Sequence, residues 1–244
     1  QTCALPISAD APPAIAPGLA AMAGPGIRLR HDRGMHSWST LVLPALEIVA
    51  IAAFALSGVI EATRKRLDVF GVCVVGFLTA FGGGTLRDVL LDRRPFFWVE
   101  HQYVLVGVLL LCIVAISVMR RRHLQQTERM IQWPDAVGLG LFCATGVHLA
   151  WTLGMPWLVA VMMGVITASF GGVLRDLICN EIPALFKDHR PYALCAVAGG
   201  LIYALVQASP LPDWMAVGAC VVVTTGLRGL TLWRDWRLPQ WQGE

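Results

Sequence analysis

An arginine beside an aspartate, following a run of glycines, occurs twice in this otherwise apolar chain. Residues 81–95 read FGGGTLRDVLLDRRP and residues 169–183 read SFGGVLRDLICNEIP. Gly83, Gly84, Leu86, Arg87, Asp88 and Pro95 recur as Gly171, Gly172, Leu174, Arg175, Asp176 and Pro183, each 88 positions later (175 − 87 = 88). Ionised side chains and interrupted helices are both costly inside a bilayer, so their coincidence marks a candidate site for an ion or solute. A broken helix exposes carbonyls that ligate a cation and N–H ends that hold a carboxylate. Close packing through small residues is the structural reading of the same glycines. Gly82, Gly83, Gly84, Arg87, Asp88, Gly171, Gly172, Arg175 and Asp176 are therefore the candidate transport residues. Thr79 and Thr167 precede the glycines by about one turn; they either offer hydroxyls to an ion or bond back to their own helix.

Adjacent residues on a helix point about 100° apart, so an arginine and its neighbouring aspartate are not expected to share one partner. The expectation is two ion pairs across the repeat, Arg87 with Asp176 and Arg175 with Asp88. These residues supply no nucleophile–base set, and the chain has no HExxH, GxSxG or phosphate-binding glycine loop. An enzyme is not expected. His148 is a lone intramembrane histidine, read as packed or hydrogen-bonded. His101 and His189 recur beside Glu100 and Asp188 and are read as loop caps. No cofactor or metal site is expected. The seven cysteines share no CxxC spacing and mostly fall in apolar runs, as free thiols acting as small hydrophobes do.

The elements that must position these residues are membrane helices. The chain has 244 residues, 56% of them hydrophobic and 14% charged, with mean hydropathy +0.63. A soluble domain is nearer 45–50% apolar and about 25% charged. A net charge of +3 is too small to imply a nucleic-acid partner. The pattern predicts spans at about 41–63, 68–91, 101–119, 134–153, 157–179, 191–208 and 214–233, each near the ~20 residues that cross a bilayer. The glycines fall within the second and fifth spans, where about 1 kcal/mol is lost per glycine relative to alanine; a kink or local unwinding is expected there. Pro44 and Pro134 are placed in the first turns of the first and fourth spans. Glu47 and Glu61 are placed at the ends of the first, within reach of water.

The repeat extends beyond the motif. At the same offset Glu47 matches Asp135, Phe54 matches Phe142, Gly58 matches Gly146, and Thr79 matches Thr167. Three spans make an odd number of crossings, so the second copy must enter the membrane upside down. The expected fold is an all-α polytopic membrane protein: seven transmembrane helices in two inverted three-helix repeats (38–123 and 133–208), a linker at 124–132, and a seventh helix with a tail at 209–244. Helices 2 and 5 are broken at glycines. Residues 1–37 resemble a translated adapter fused to the reading frame; they are expected to be disordered, with Met22 or Met35 as the true start. Lys and Arg cluster after the first, third and fifth spans and in the tail. This predicts an N-terminus outside and a C-terminus in the cytoplasm of a bacterial inner membrane. The basic run at 120–123 is read as a topology anchor, with acidic lipid headgroups as the alternative.

Two GGxLRD motifs in the second and fifth helices of a three-plus-three-plus-one membrane protein resemble the bacterial branch of the trimeric intracellular cation (TRIC) channels. The same bacterial sequences are also described as a glycine transporter domain. The resemblance covers about residues 41–233. It implies a homotrimer with one hourglass pore per protomer, lined by helices 2 and 5. It implies conduction of monovalent cations, potassium over sodium without strong discrimination. Gly82, Gly83, Gly84, Gly171 and Gly172 would be the kinks, and Arg87, Asp88, Arg175 and Asp176 the polar centre. Animal members carry a lysine-bearing motif after the second-helix kink that contacts an inositol lipid; residues 85–92 here contain no lysine. Two transport hypotheses stand: a passive cation channel, and a secondary carrier of a small solute such as glycine, since inverted repeats with broken helices serve both.

Overall fold

The computed structural model describes residues 37–122, 128–187, 191–234 and 236. Those residues form α1 (Ser37–Arg64), α2 (Val69–Leu90), α3 (Phe97–Glu100), α4 (Gln102–Arg122), α5 (Glu128–Thr152), α6 (Trp157–Ile178), α7 (Ala184–Lys187), α8 (Tyr192–Gln207) and α9 (Asp213–Arg234). The architecture is all-helical. Five helices are long and apolar enough to cross a membrane: α1 from Leu41, α2, α4 to Met119, α6 and α9. α8 is apolar but has only 16 residues. The expectations for residues 1–36, for His189 with Asp188, and for the tail beyond Trp236 lie outside the described residues, as does His123 of the basic run.

Several boundaries differ from expectation for local reasons. α1 and α5 both begin earlier, leaving Pro44 and Pro134 inside the helix rather than in its opening turn. A proline near a helix start removes a single intrahelical bond, so the turn ahead of it can still be helical. Residues 128–132, expected in the linker, therefore belong to α5. Asp68 caps α2, accepting from the Gly71 N–H at 2.7 Å.

The sharpest correction concerns the glycines. α2 and α6 run helically through Gly82, Gly83 and Gly84 and through Gly171 and Gly172 without interruption. The reason is what the glycines face. A Cβ on Gly83 would lie 2.1 Å from the Thr167 carbonyl oxygen, and one on Gly171 would lie 2.3 Å from that of Thr79. These are reciprocal contacts, since 167 − 79 = 88 and 171 − 83 = 88. Absent side chains let two intact backbones touch, which is how small residues drive helix association in membranes. α1 crosses α5 beside this contact, with the rings of Phe54 and Phe142 centred 5.2 Å apart.

α5 occupies the middle, packed against α1, α6, α8 and α9. Its buried face includes Leu139, Phe142, Cys143 and Val147. α4, by contrast, turns Val106, Leu110, Ile113 and Val114 outward, as a helix facing lipid tails does.

Candidate functional site: two buried arginine–carboxylate clusters

The motif's geometry begins at the ends of α2 and α6. Both helices close on a residue in the left-handed region, Asp92 at φ 51° and Asn180 at φ 55°. Asx side chains tolerate that conformation. It lets the Arg93 N–H reach back to the Asp88 carbonyl and the Glu181 N–H to the Asp176 carbonyl, each at 2.8 Å, a Schellman closure. Pro95 and Pro183 follow, where the helix cannot continue. The chain then folds back, and Asp88 Oδ2 accepts from the Phe97 N–H at 3.4 Å. Asp176 Oδ2 likewise accepts from the Ala184 N–H at 2.8 Å. Each aspartate thus ties the short helix that follows to the end of its own span.

Each arginine turns toward a carboxylate on a different helix. Arg87 donates from Nη2 to Glu47 Oε1 at 2.8 Å and from Nε to Asp88 Oδ1 at 2.9 Å. Arg175 donates from Nη1 to Asp135 Oδ1 at 2.7 Å and from Nε to Asp176 Oδ1 at 2.8 Å. It also donates from Nη1 to the Ser57 hydroxyl on α1. Arg87 is 1% exposed and Arg175 4%. Buried charge is tolerated in apolar surroundings only when paired and hydrogen-bonded, and both guanidinium groups meet that condition.

The expected pairs across the repeat, Arg87 with Asp176 and Arg175 with Asp88, are not formed. The guanidinium has donors enough for two carboxylates at once, so the neighbouring aspartate and an acid from the preceding long helix share it. Glu47 and Glu61, expected near water, are both buried. Sequence reading placed Glu47 and Asp135 at one repeat position but left them out of the site. Their shared offset, in apolar helices, was the signal that could have included them.

Other candidates fall into place around these clusters. Thr79 donates to the Val75 carbonyl and Thr167 to the Met163 carbonyl, each at 2.6 Å. Both hydroxyls are therefore back-bonded. His148 shares a 2.8 Å hydrogen bond with the Tyr203 hydroxyl. His101 Nδ1 lies 3.1 Å from the Phe97 carbonyl oxygen, consistent with a loop-capping role.

Glu47 and Glu61 stand fourteen positions apart on α1, about 21 Å at 1.5 Å per residue. A pocket lies at each end. The one at the Glu47 end is lined by Glu47, Gly84, Thr85, Asp88, Phe97 and Trp98 and is only about 10 Å³. The one at the Glu61 end is about 110 Å³, lined among others by Glu61, Asp135, Arg175, Asp176 and Arg228. Between them lies the Gly83–Thr167 and Gly171–Thr79 contact. Sequence reasoning missed Arg228, whose one signal is an arginine six residues before the end of an apolar helix.

Solved structures share this fold. The chain is 33% identical to a TRIC trimeric intracellular cation channel orthologue from Rhodobacter sphaeroides, with TM-score 0.75, covering 80% of this chain and 99% of that one. A prokaryotic TRIC channel crystallised in 0.5 M KCl aligns with TM-score 0.75 at 29% identity, covering 82% and 100%. The UPF0126 inner membrane protein YadS of Escherichia coli is 41% identical over 163 residues, 65% of this chain and 76% of that one. A UPF0126 membrane protein of Deinococcus radiodurans is 36% identical over 197 residues, 80% and 89% of the two chains. The family model described as "Glycine transporter" matches twice, at residues 44–120 and 132–208, an offset of 132 − 44 = 88 that reproduces the repeat. This chain is a multi-pass membrane protein and belongs to that family.

Proposed function

We propose that the chain is a passive channel for monovalent cations, potassium foremost, working as a homotrimer with one pore in each protomer. The observation that carries this reading is the pair of matched Arg–carboxylate clusters at opposite ends of α1, separated by a backbone-to-backbone crossing of α2 and α6. Its likeness to solved TRIC cation channels at 33% identity supports it. The two pockets act as vestibules, in which Glu47 with Asp88 and Asp135 with Asp176 supply negative charge to a cation. Arg87 and Arg175 fix those carboxylates in place. The constriction is the crossing itself, built from Gly82, Gly83, Gly84, Gly171 and Gly172 with the Thr79 and Thr167 carbonyls. With Gly83 against Thr167 the path is shut, and conduction requires α2 to part from α6.

On this reading α1, α2, α4, α5, α6, α8 and α9 are seven spans, and α1–α4 and α5–α8 are inverted repeats. The N-terminus lies outside and the C-terminus in the cytoplasm of a bacterial inner membrane, because Lys and Arg gather at the α1–α2, α4–α5 and α6–α8 connections. Membrane lipids are the surrounding partners, and no nucleic acid or catalysis is involved. A second reading, a carrier for a small amino acid such as glycine, draws on the family description and on two pockets that could open alternately.

Flux into proteoliposomes separates the two. Potassium flux driven by a potential, unsaturated and without labelled-glycine uptake, is the expected result. Saturable glycine accumulation against its gradient would replace the channel with a carrier. Absence of both in folded protein would sink both readings.

A further inference from the structure

Arg228, on α9, is 1% exposed, and its Nε and Nη1 find no acceptor among the described residues. It lines the larger pocket with Glu61, Asp135, Arg175, Asp176 and Glu181. Part of the charge there is paired one to one: Arg64 meets Glu61 at 3.2 Å, and Lys65 meets Glu181. Arg175 has to serve both Asp135 and Asp176, at 2.7 and 2.8 Å. That cluster keeps one carboxylate charge more than its guanidinium neutralises, and Arg228 balances it across the pocket. The Arg228 guanidinium rests over the Tyr192 ring, 4.8 Å from the centroid, which holds it in place without an ion pair among the described residues.

The first repeat meets the same excess differently. Arg87 serves Glu47 and Asp88, and the balancing charge is Arg93, whose side chain is 38% exposed and reaches Asp88 only at 4.0 Å. The position 88 after Arg93 is Glu181, an acid, and the position 88 before Arg228 is Gly140. The second cluster therefore draws its counter-charge from a helix outside the repeat. It holds that charge buried, where salt screens it least.

We propose that Arg228 is the built-in counter-cation of this vestibule and sets how strongly it draws in and holds a cation. The role rests on the channel reading of the protein, since it is defined by the ion that passes. A cation entering here approaches Asp135 and Asp176 against the repulsion of a fixed guanidinium. It meets a pocket whose charges already balance, so it is held loosely enough to leave, as conduction requires. Without Arg228 the pocket keeps one negative charge, and a mobile cation takes over the balancing.

The test uses the full chain, in planar bilayers and in crystals. Single-channel conductance is measured at low and at high potassium. At low potassium Arg228→Gln should conduct about three- to tenfold more than wild type, the effect of one unit charge a few ångströms away in a wet pocket. The gain should shrink toward wild type as salt rises, which a purely structural change would not do. Arg228→Lys, which keeps the charge, should stay close to wild type at both concentrations. Thallium, a potassium substitute that scatters anomalously, should give a stronger peak beside Asp135 and Asp176 in Arg228→Gln crystals than in wild-type crystals soaked alike. No gain in Arg228→Gln, a gain independent of salt, or the same gain in Arg228→Lys overturns the role. If wild type conducts no potassium, the channel reading fails, and the thallium peaks alone decide whether Arg228 opposes a cation; equal peaks overturn it. If Arg228→Gln does not fold, Asp135→Asn in the same chain decides. Recovery of folding supports Arg228 as the balance of a carboxylate, and no recovery overturns it.

Discussion

Arg87 on α2 donates to Glu47 on α1 at 2.8 Å, in a pair almost wholly removed from solvent. The bond joins the first two spans of its repeat, and Arg175 with Asp135 repeats it between α5 and α6. Together they turn a sequence repeat into a repeated interaction between helices.

Removing one partner leaves the other charged and unpaired. Glu47→Ala or Arg87→Ala should each cost about 3–5 kcal/mol, as breaking a buried pair does, and Glu47→Leu with Arg87→Met should cost less than either. Melting in detergent with a double-mutant cycle checks this. Arg87→Asp combined with Asp176→Arg should give no rescue, because Arg87 and Asp176 do not meet.

The helix crossing makes a steric prediction. Gly83→Ala and Gly171→Ala place a methyl group against a carbonyl oxygen, at 2.1 and 2.3 Å before relaxation. Each should destabilise by about 1–3 kcal/mol, the usual cost of overpacking. Gly107→Ala, which meets nothing within 4 Å, should be neutral or better because alanine favours helix. Thermal unfolding of the three variants side by side would decide.

The threonines separate back-bonding from ion ligation. Thr79→Val and Thr167→Val keep the shape and lose only the 2.6 Å bond to the preceding turn. Potassium flux should be unchanged in both. A marked fall in flux with normal folding would assign the hydroxyls to the permeating ion.

The second repeat carries a polar link that the first lacks. His148 and Tyr203 are joined at 2.8 Å, and the positions 88 before them are Ile60 and Ala115. Tyr203→Phe removes this bond and the 3.1 Å bond from Gln207. It should cost about 1–3 kcal/mol, the penalty for stranding a buried polar group, read as a lower melting temperature.

Much of this protein was legible in the sequence because its constraints are periodic and local. Apolar runs of bilayer length located the long helices. A fixed offset of 88 exposed the repeat and paired Glu47 with Asp135. Tertiary structure decided what these residues touch. A glycine run reads equally as a break or as a contact, and only the opposing Thr167 and Thr79 carbonyls make it a contact. An arginine's long side chain can reach several carboxylates, so its neighbour Asp88 and the distant Glu47 were selected by how α1 lies against α2. Arg228 belongs to a helix outside the repeat, and no spacing rule could bring it to the pocket shared by Asp135 and Asp176. That juxtaposition arises from the packing of α9 against α5 and α8, a matter of three-dimensional shape to which no periodicity in the chain corresponds.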